Sequence, residues 1–128
     1  MNRAYNPSGV APPPGTYSHG VEVPTNSRLV FTAGQVGRAP DGTIPEGIVA
    51  QAEQAWRNVL NILAGADMGV DDLVKISALL VNTDDLAPFL AVNDRVLVEA
   101  RPASTLMVIQ SLARPQLVVE IEAVAAKA

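Results

Sequence analysis

The sequence predicts an α+β fold in which one mixed β-sheet carries two helices on one face. Three observations lead there. Two runs near the C-terminus, 102–110 and 117–125, are rich in β-branched and aliphatic residues, and the second alternates with period two. Residues 47–63 place apolar side chains at helical spacing. Along the whole chain the elements read strand, strand, helix, strand, helix, strand, strand.

Residues 1–16 hold Pro7, Pro12, Pro13 and Pro14 and predict an irregular arm. Val21-Glu22-Val23 reads as a short strand, Pro24-Thr25-Asn26-Ser27 as a turn and Arg28–Val36 as a second strand, which together predict a hairpin. Gly34 interrupts that second strand. A strand glycine marks a bulge or a close approach of the backbone to another group. Residues 37–45 form a loop around Asp41-Gly42. In the first helix Ile48, Ala52, Ala55, Val59 and Ile62 share a face, Trp56 widens it, and Gly65 is placed to cap the end. Leu73–Val81 is nearly continuous in apolar residues, which predicts a strand covered on both faces. Asn82-Thr83-Asp84-Asp85 supplies N-caps for a second helix, which tolerates Pro88 in its first turn and buries Phe89, Val92, Val96 and Leu97.

The two C-terminal runs flank a turn at 111–116 and predict neighbouring antiparallel strands. In the second, Leu117, Val119, Ile121, Ala123 and Ala125 face the helices, and Val118, Glu120, Glu122 and Val124 face away. The two carboxylates read either as a solvated face or as a polar pocket that another subunit closes. In this register Leu106 and Val108 join the outer face. An apolar outer face of that size predicts a partner, and homo-oligomerisation is the simplest one.

A chain of 128 residues predicts one domain over 1–128. Its net charge of −4 and its lack of any basic run argue against nucleic acid as the main partner. The absence of cysteine removes disulfides, a thiol nucleophile and thiolate metal sites. No apolar run reaches the roughly 18 residues of a membrane span. The N-terminus lacks the apolar region of a signal peptide, so a cytoplasmic location is expected. His19, the only histidine, makes no metal site by itself. It reads first as a surface-loop residue, and lining a pocket beside Tyr17 is the alternative.

Tyr17-Ser18-His19-Gly20, Phe31-Thr32-Ala33-Gly34-Gln35-Val36-Gly37, Ala50-Gln51…Gln54-Ala55…Asn58, Asp72-Leu73-Val74-Lys75, Phe89…Val92-Asn93 and Val119-Glu120-Ile121-Glu122-Ala123 occur in this order through nearly the whole chain. The set resembles the RidA/YjgF family, also called UK114 or L-PSP. The resemblance implies a chorismate-mutase-like fold, a homotrimer and small-molecule pockets at the subunit interfaces. It also implies cofactor-independent hydrolysis of imines or enamines to oxo compounds and ammonia. Some members of the family have been described as ribonucleases.

Carried onto this sequence, the resemblance makes Glu120 the catalytic residue that handles water, with Tyr17, Gly34, Asn93 and, at the arginine's position, Ser104 binding substrate. The family's carboxylate-gripping arginine falls in a Pro-Ala-Arg motif, where this chain reads Pro102-Ala103-Ser104. Two charge-assisted hydrogen bonds of about 1.5–3 kcal/mol each are lost with that arginine. Poor action on simple 2-imino acids is therefore expected unless Arg38, Arg101 or Arg114 takes its place. The alternative is a trimer that binds a small molecule without catalysis. No cofactor and no metal are expected in either case.

Overall fold

The computed structural model describes all residues, 1–128. Seven strands are present: β1 (Arg3–Tyr5), β2 (Gly20–Glu22), β3 (Arg28–Phe31), β4 (Gln35–Val36), β5 (Leu73–Leu80), β6 (Ala103–Val108) and β7 (Val119–Lys127). The helices are α1 (Ile48–Ala64) and α2 (Leu86–Leu97). β7 lies in the middle of the main sheet, in the order β3-β7-β5-β6, and β4 also pairs with β7.

The alternation expected of β7 is present. Val119, Ile121, Ala123 and Ala125 are buried, while Glu120 and Val124 are half-buried and Glu122 is exposed. The buried set joins Ile76, Ala78 and Leu80 of β5 beneath the two helices, which contribute Ala55, Trp56, Val59, Leu63, Phe89, Val92 and Leu97. Trp56 lies at the centre, and its Nε1 donates to Asn93 Oδ1 at 2.8 Å.

Several expectations are corrected. β6 and β7 are not neighbours, because β5 lies between them and pairs parallel with β6 and antiparallel with β7. The reason is the crossover through α2, which returns the chain in the direction of β5 and so forces a parallel pair. Register then turns Leu106 toward the core and Thr105 and Met107 outward, since β6 residues share a face with their β5 partners. β5 is covered on one face only: Leu79, Ser77 and Lys75 remain half-exposed opposite the helices.

The predicted hairpin does not form. β2 pairs with β1, so the arm is strand at Arg3–Tyr5, and β3 pairs with β7. Tyr5 Oη donates to the Glu22 carboxylate, a tie that holds β2 to the arm, and within the arm Arg3 lies over the Tyr5 ring. The Glu22 contact raises the Tyr5 pKa above its ordinary value. On α1, Ile62 is exposed and Leu63 is buried instead. Gly65 caps the helix from ordinary right-handed backbone, and the positive φ falls on Asp67. α2 starts after a single 3-10 turn at Thr83–Asp85, capped by the Asn82 side chain, and it ends at Leu97.

Gly37 lets the chain leaving β4 cross directly over the first turn of α1. A Cβ there would lie 2.6 Å from Gln51 Cα. Gly37→Ala therefore has to push backbone apart, and a loss of about 1–3 kcal/mol in urea unfolding is expected. An unchanged midpoint would mean that the crossing is loose.

Candidate functional site

The long strand expected over 28–36 breaks after Phe31. Thr32 occupies the gap, donating its N–H to Ala123 O at 2.9 Å and accepting from Ala123 N–H through Oγ1 at 3.0 Å. Pairing resumes at Gln35↔Ile121 and Val36↔Glu120. Gly34 lies in this interruption, pressed against the Glu120 carboxylate. A Cβ on Gly34 would lie 2.7 Å from Glu120 Cδ. Both meanings of a strand glycine, a break in the ladder and a close approach, hold at this one position.

Glu120 is half-buried and takes part in neither of the two ion pairs of the chain, Arg95–Glu53 and Lys127–Asp67. It lines a cavity of about 240 Å³ with Gly34, Val36, Arg38, Ile44, Arg114 and Leu117. One free carboxylate among aliphatic walls, with two arginines in the lining, can hold and polarise a small polar molecule.

Two loops frame this cavity and α1 ties them together. Gln51 is buried; its Nε2 donates to Pro45 O at 3.0 Å and Gln116 O at 2.8 Å, and its Oε1 accepts from Val118 N–H at 2.9 Å. Asn58 Nδ2 donates to Val36 O at 3.1 Å and to Arg38 O at 2.9 Å. The Arg38 loop closes on itself, because Asp41 accepts from the N–H and hydroxyl of Thr43, which lowers the Asp41 pKa. Gln51 and Asn58 stood in the sequence only as motif residues. Polar residues on the buried side of an amphipathic helix were the signal that they bind backbone.

The remaining predicted residues gather elsewhere. Ser18 bridges Ala103 in parallel and its N–H donates to Pro102 O at 3.1 Å, which brings Tyr17 to the free edge of β6 beside Ser104. Thr16 hydrogen-bonds Asp94, next to Asn93 on α2. Tyr17 and Ser104 thus share that margin, and Asn93 precedes Asp94 on α2, buried, with its Oδ1 accepting from Trp56 Nε1. The Ser18 hydroxyl there is buried without a partner. Ser104 pairs with Ile76 and shares the helix side of the sheet, while Glu120 pairs with Leu79 on the opposite side. The two positions differ by two strands and by three residues along the sheet, about 10 Å in each direction. One chain does not bring Ser104 to Glu120.

Of the three arginines considered as replacements, Arg38 and Arg114 reach the Glu120 cavity and Arg101 does not. The Arg101 guanidinium donates to Val98 O and Ala100 O. His19 Nε2 meets Ala11 O at 2.6 Å, and its ring stands edge-on to Tyr17 with centroids 5.9 Å apart, so it ties the proline-rich arm to Tyr17. No three His, Cys, Asp or Glu side chains converge as a metal-binding group. No helix is long and apolar enough to cross a membrane.

Gln51→Leu removes three backbone ties at once and leaves the loop groups unpaired. A stability loss of about 2–4 kcal/mol is expected. Faster amide exchange at 43–47 and 114–118 would accompany it, and unchanged exchange there would show that the loops hold without α1.

Known proteins are similar to this chain in sequence and fold. The family model described as Endoribonuclease L-PSP matches residues 8–127. The 2-iminobutanoate/2-iminopropanoate deaminase of Mus musculus is 32% identical over 113 residues, 87% of this chain and 81% of the mouse chain. The crystal structure of the Rid-family protein YyfB from Yersinia pestis superposes with a TM-score of 0.89 at 31% identity over 98% of both chains. That of E. coli TdcF with bound serine superposes with a TM-score of 0.75 at 29% identity, covering 89% of this chain and 90% of TdcF.

Proposed function

The chain belongs to the L-PSP family, the family of RidA, YjgF and UK114, and on that premise we propose that it is a single-domain hydrolytic deaminase of a reactive imine or enamine, of a subgroup that lacks the arginine at position 104. Glu120 is its catalytic residue. Water adds to the C=N carbon as the Glu120 carboxylate accepts its proton. Glu120 passes that proton to the nitrogen, giving a carbinolamine; it then carries the new hydroxyl's proton to the same nitrogen as the C–N bond breaks, so that an oxo compound and ammonia leave. The observation that carries this reading is the Glu120 carboxylate, unpaired and seated against Gly34 in an aliphatic cavity. The function of the mouse relative supports it. No cofactor takes part in this sequence of steps.

The proposed assembly is a homotrimer. The sheet face opposite the helices carries Phe31 at 70%, Met107 at 51% and Leu29 at 50% exposure, the kind of apolar sheet face that a partner covers. Closing that face brings the Tyr17 and Ser104 margin of one copy to the Gly34 and Glu120 cavity of the next, with Tyr17 and Asn93 positioning the substrate. The proposed location is cytoplasmic. Nucleic acid does not fit a chain of net charge −4 with two unpaired arginines in one small cavity. A trimer that binds without turnover is the second reading, favoured by Ser104 where the family places arginine.

Imine generated in place by an amino-acid oxidase tests the first reading. Glu120→Gln is nearly isosteric and accepts no proton, so turnover is expected to fall at least 100-fold while the assembly persists. Full turnover in that variant would remove Glu120 as the base. Light scattering should give about 40 kDa, three chains of 13.4 kDa. A 13.4 kDa particle would contradict the interface site.

A further inference from the structure

The chain has seven arginines. Arg28 donates to Ala66 O, Arg57 to Gln54, Arg95 to Glu53 and Arg101 to two backbone carbonyls, while Arg3 lies over Tyr5. Only the guanidinium groups of Arg38 and Arg114 have neither a hydrogen-bond acceptor nor a ring partner in the protein, and these two residues line the Glu120 cavity. Asp41, the nearest acidic residue in sequence to Arg38, is occupied by Thr43. An acidic protein thus keeps two arginines without a partner in one cavity, whose lining holds a single carboxylate, Glu120. Both come from the loops that Gln51 and Asn58 pin to α1, so a ligand meets donors whose backbone is already ordered.

We propose that Arg114 and Arg38 form an anion clamp that grips the substrate's carboxylate from the β7 side of the cavity, in place of the arginine absent at position 104. The substrate class is then an anionic imine, a 2-imino acid, with its carboxylate at the loop rim and its C=N carbon at Glu120. A planar guanidinium matches a carboxylate through two parallel hydrogen bonds, and a second guanidinium adds charge without any further rearrangement of the sheet. Ser104 then has no carboxylate to bind and can be small and neutral. The clamp rests on the reading of the Glu120 cavity as the substrate site.

The test measures binding apart from turnover. Calorimetric titration compares 2-oxobutanoate, the product of the simplest such imine after alanine's, with neutral 2-oxobutanamide of the same shape. Wild type is expected to bind the carboxylate at least tenfold more tightly than the amide. The Arg38→Ala/Arg114→Ala double variant should lose at least tenfold on the carboxylate and change little on the amide. Both side chains are exposed, so the fold should survive, and Arg38→Lys and Arg114→Lys should retain an intermediate preference. Glu120→Gln should bind the carboxylate at least as well as wild type, because a negative charge has been removed. Equal binding of acid and amide by wild type, or undiminished acid binding by the double variant, overturns the clamp. Arginine-dependent binding without any imine hydrolysis upholds the clamp and sinks the deaminase. Hydrolysis with kcat and KM unchanged in the double variant upholds the deaminase and sinks the clamp.

Discussion

The structure depends on the period-two alternation of β7. Flanked on both sides, that strand cannot shift by one residue without expelling Val119, Ile121, Ala123 and Ala125 from the core. Burying four such side chains is worth several kcal/mol. The same alternation therefore holds Glu120 on the opposite face, at a cost in stability far too small to move it. A carboxylate is placed by the hydrophobic effect acting on its neighbours.

The surroundings of Glu120 follow from what β7 leaves unpaired. The sheet ladder breaks at Thr32–Gly34, and Gly34 has no side chain to exclude the carboxylate. Past β4 the chain crosses α1 at Gly37, where Gln51 and Asn58 bind the backbone of both loops. These amides spend their hydrogen bonds on loop carbonyls and one N–H, which is why buried polar residues on α1 cost the fold nothing. Arg38 and Arg114 ride on those loops. The fold thus provides a rigid cradle with a free carboxylate and free cations, while Tyr17 and Ser104 lie on the opposite margin of the same chain.

Much of this was legible in the sequence. Alternation in β7 and helical spacing in α1 are local patterns, and both survive in the structure. The parallel pairing of β5 and β6 was also within reach, since a helix between two strands of one sheet returns the second strand parallel. Reading 102–110 and 117–125 as a hairpin because they are adjacent in sequence missed it. The pairing of β3 with β7, nearly a hundred residues apart, has no local signal at all. Gly34 was recognisable as a close approach, but its neighbour was not. The arginines at 38 and 114 could be named as candidates from their charge. Their separation from Arg101 needed the loop geometry, because only the folded chain decides which guanidinium groups the backbone claims.

The central claim is that each site is assembled from two copies of the chain, one giving Tyr17 and the other Glu120. Subunit mixing tests it most directly. Tyr17→Ala and Glu120→Gln are each inactive in this account, and mixed trimers formed by refolding the two together contain one intact pocket of three. Random mixing should restore turnover at about one pocket in four relative to wild type. Activity of the mixture no greater than that of the separate variants, with mixed trimers demonstrated by mass, would contradict a shared site and place the chemistry within a single chain.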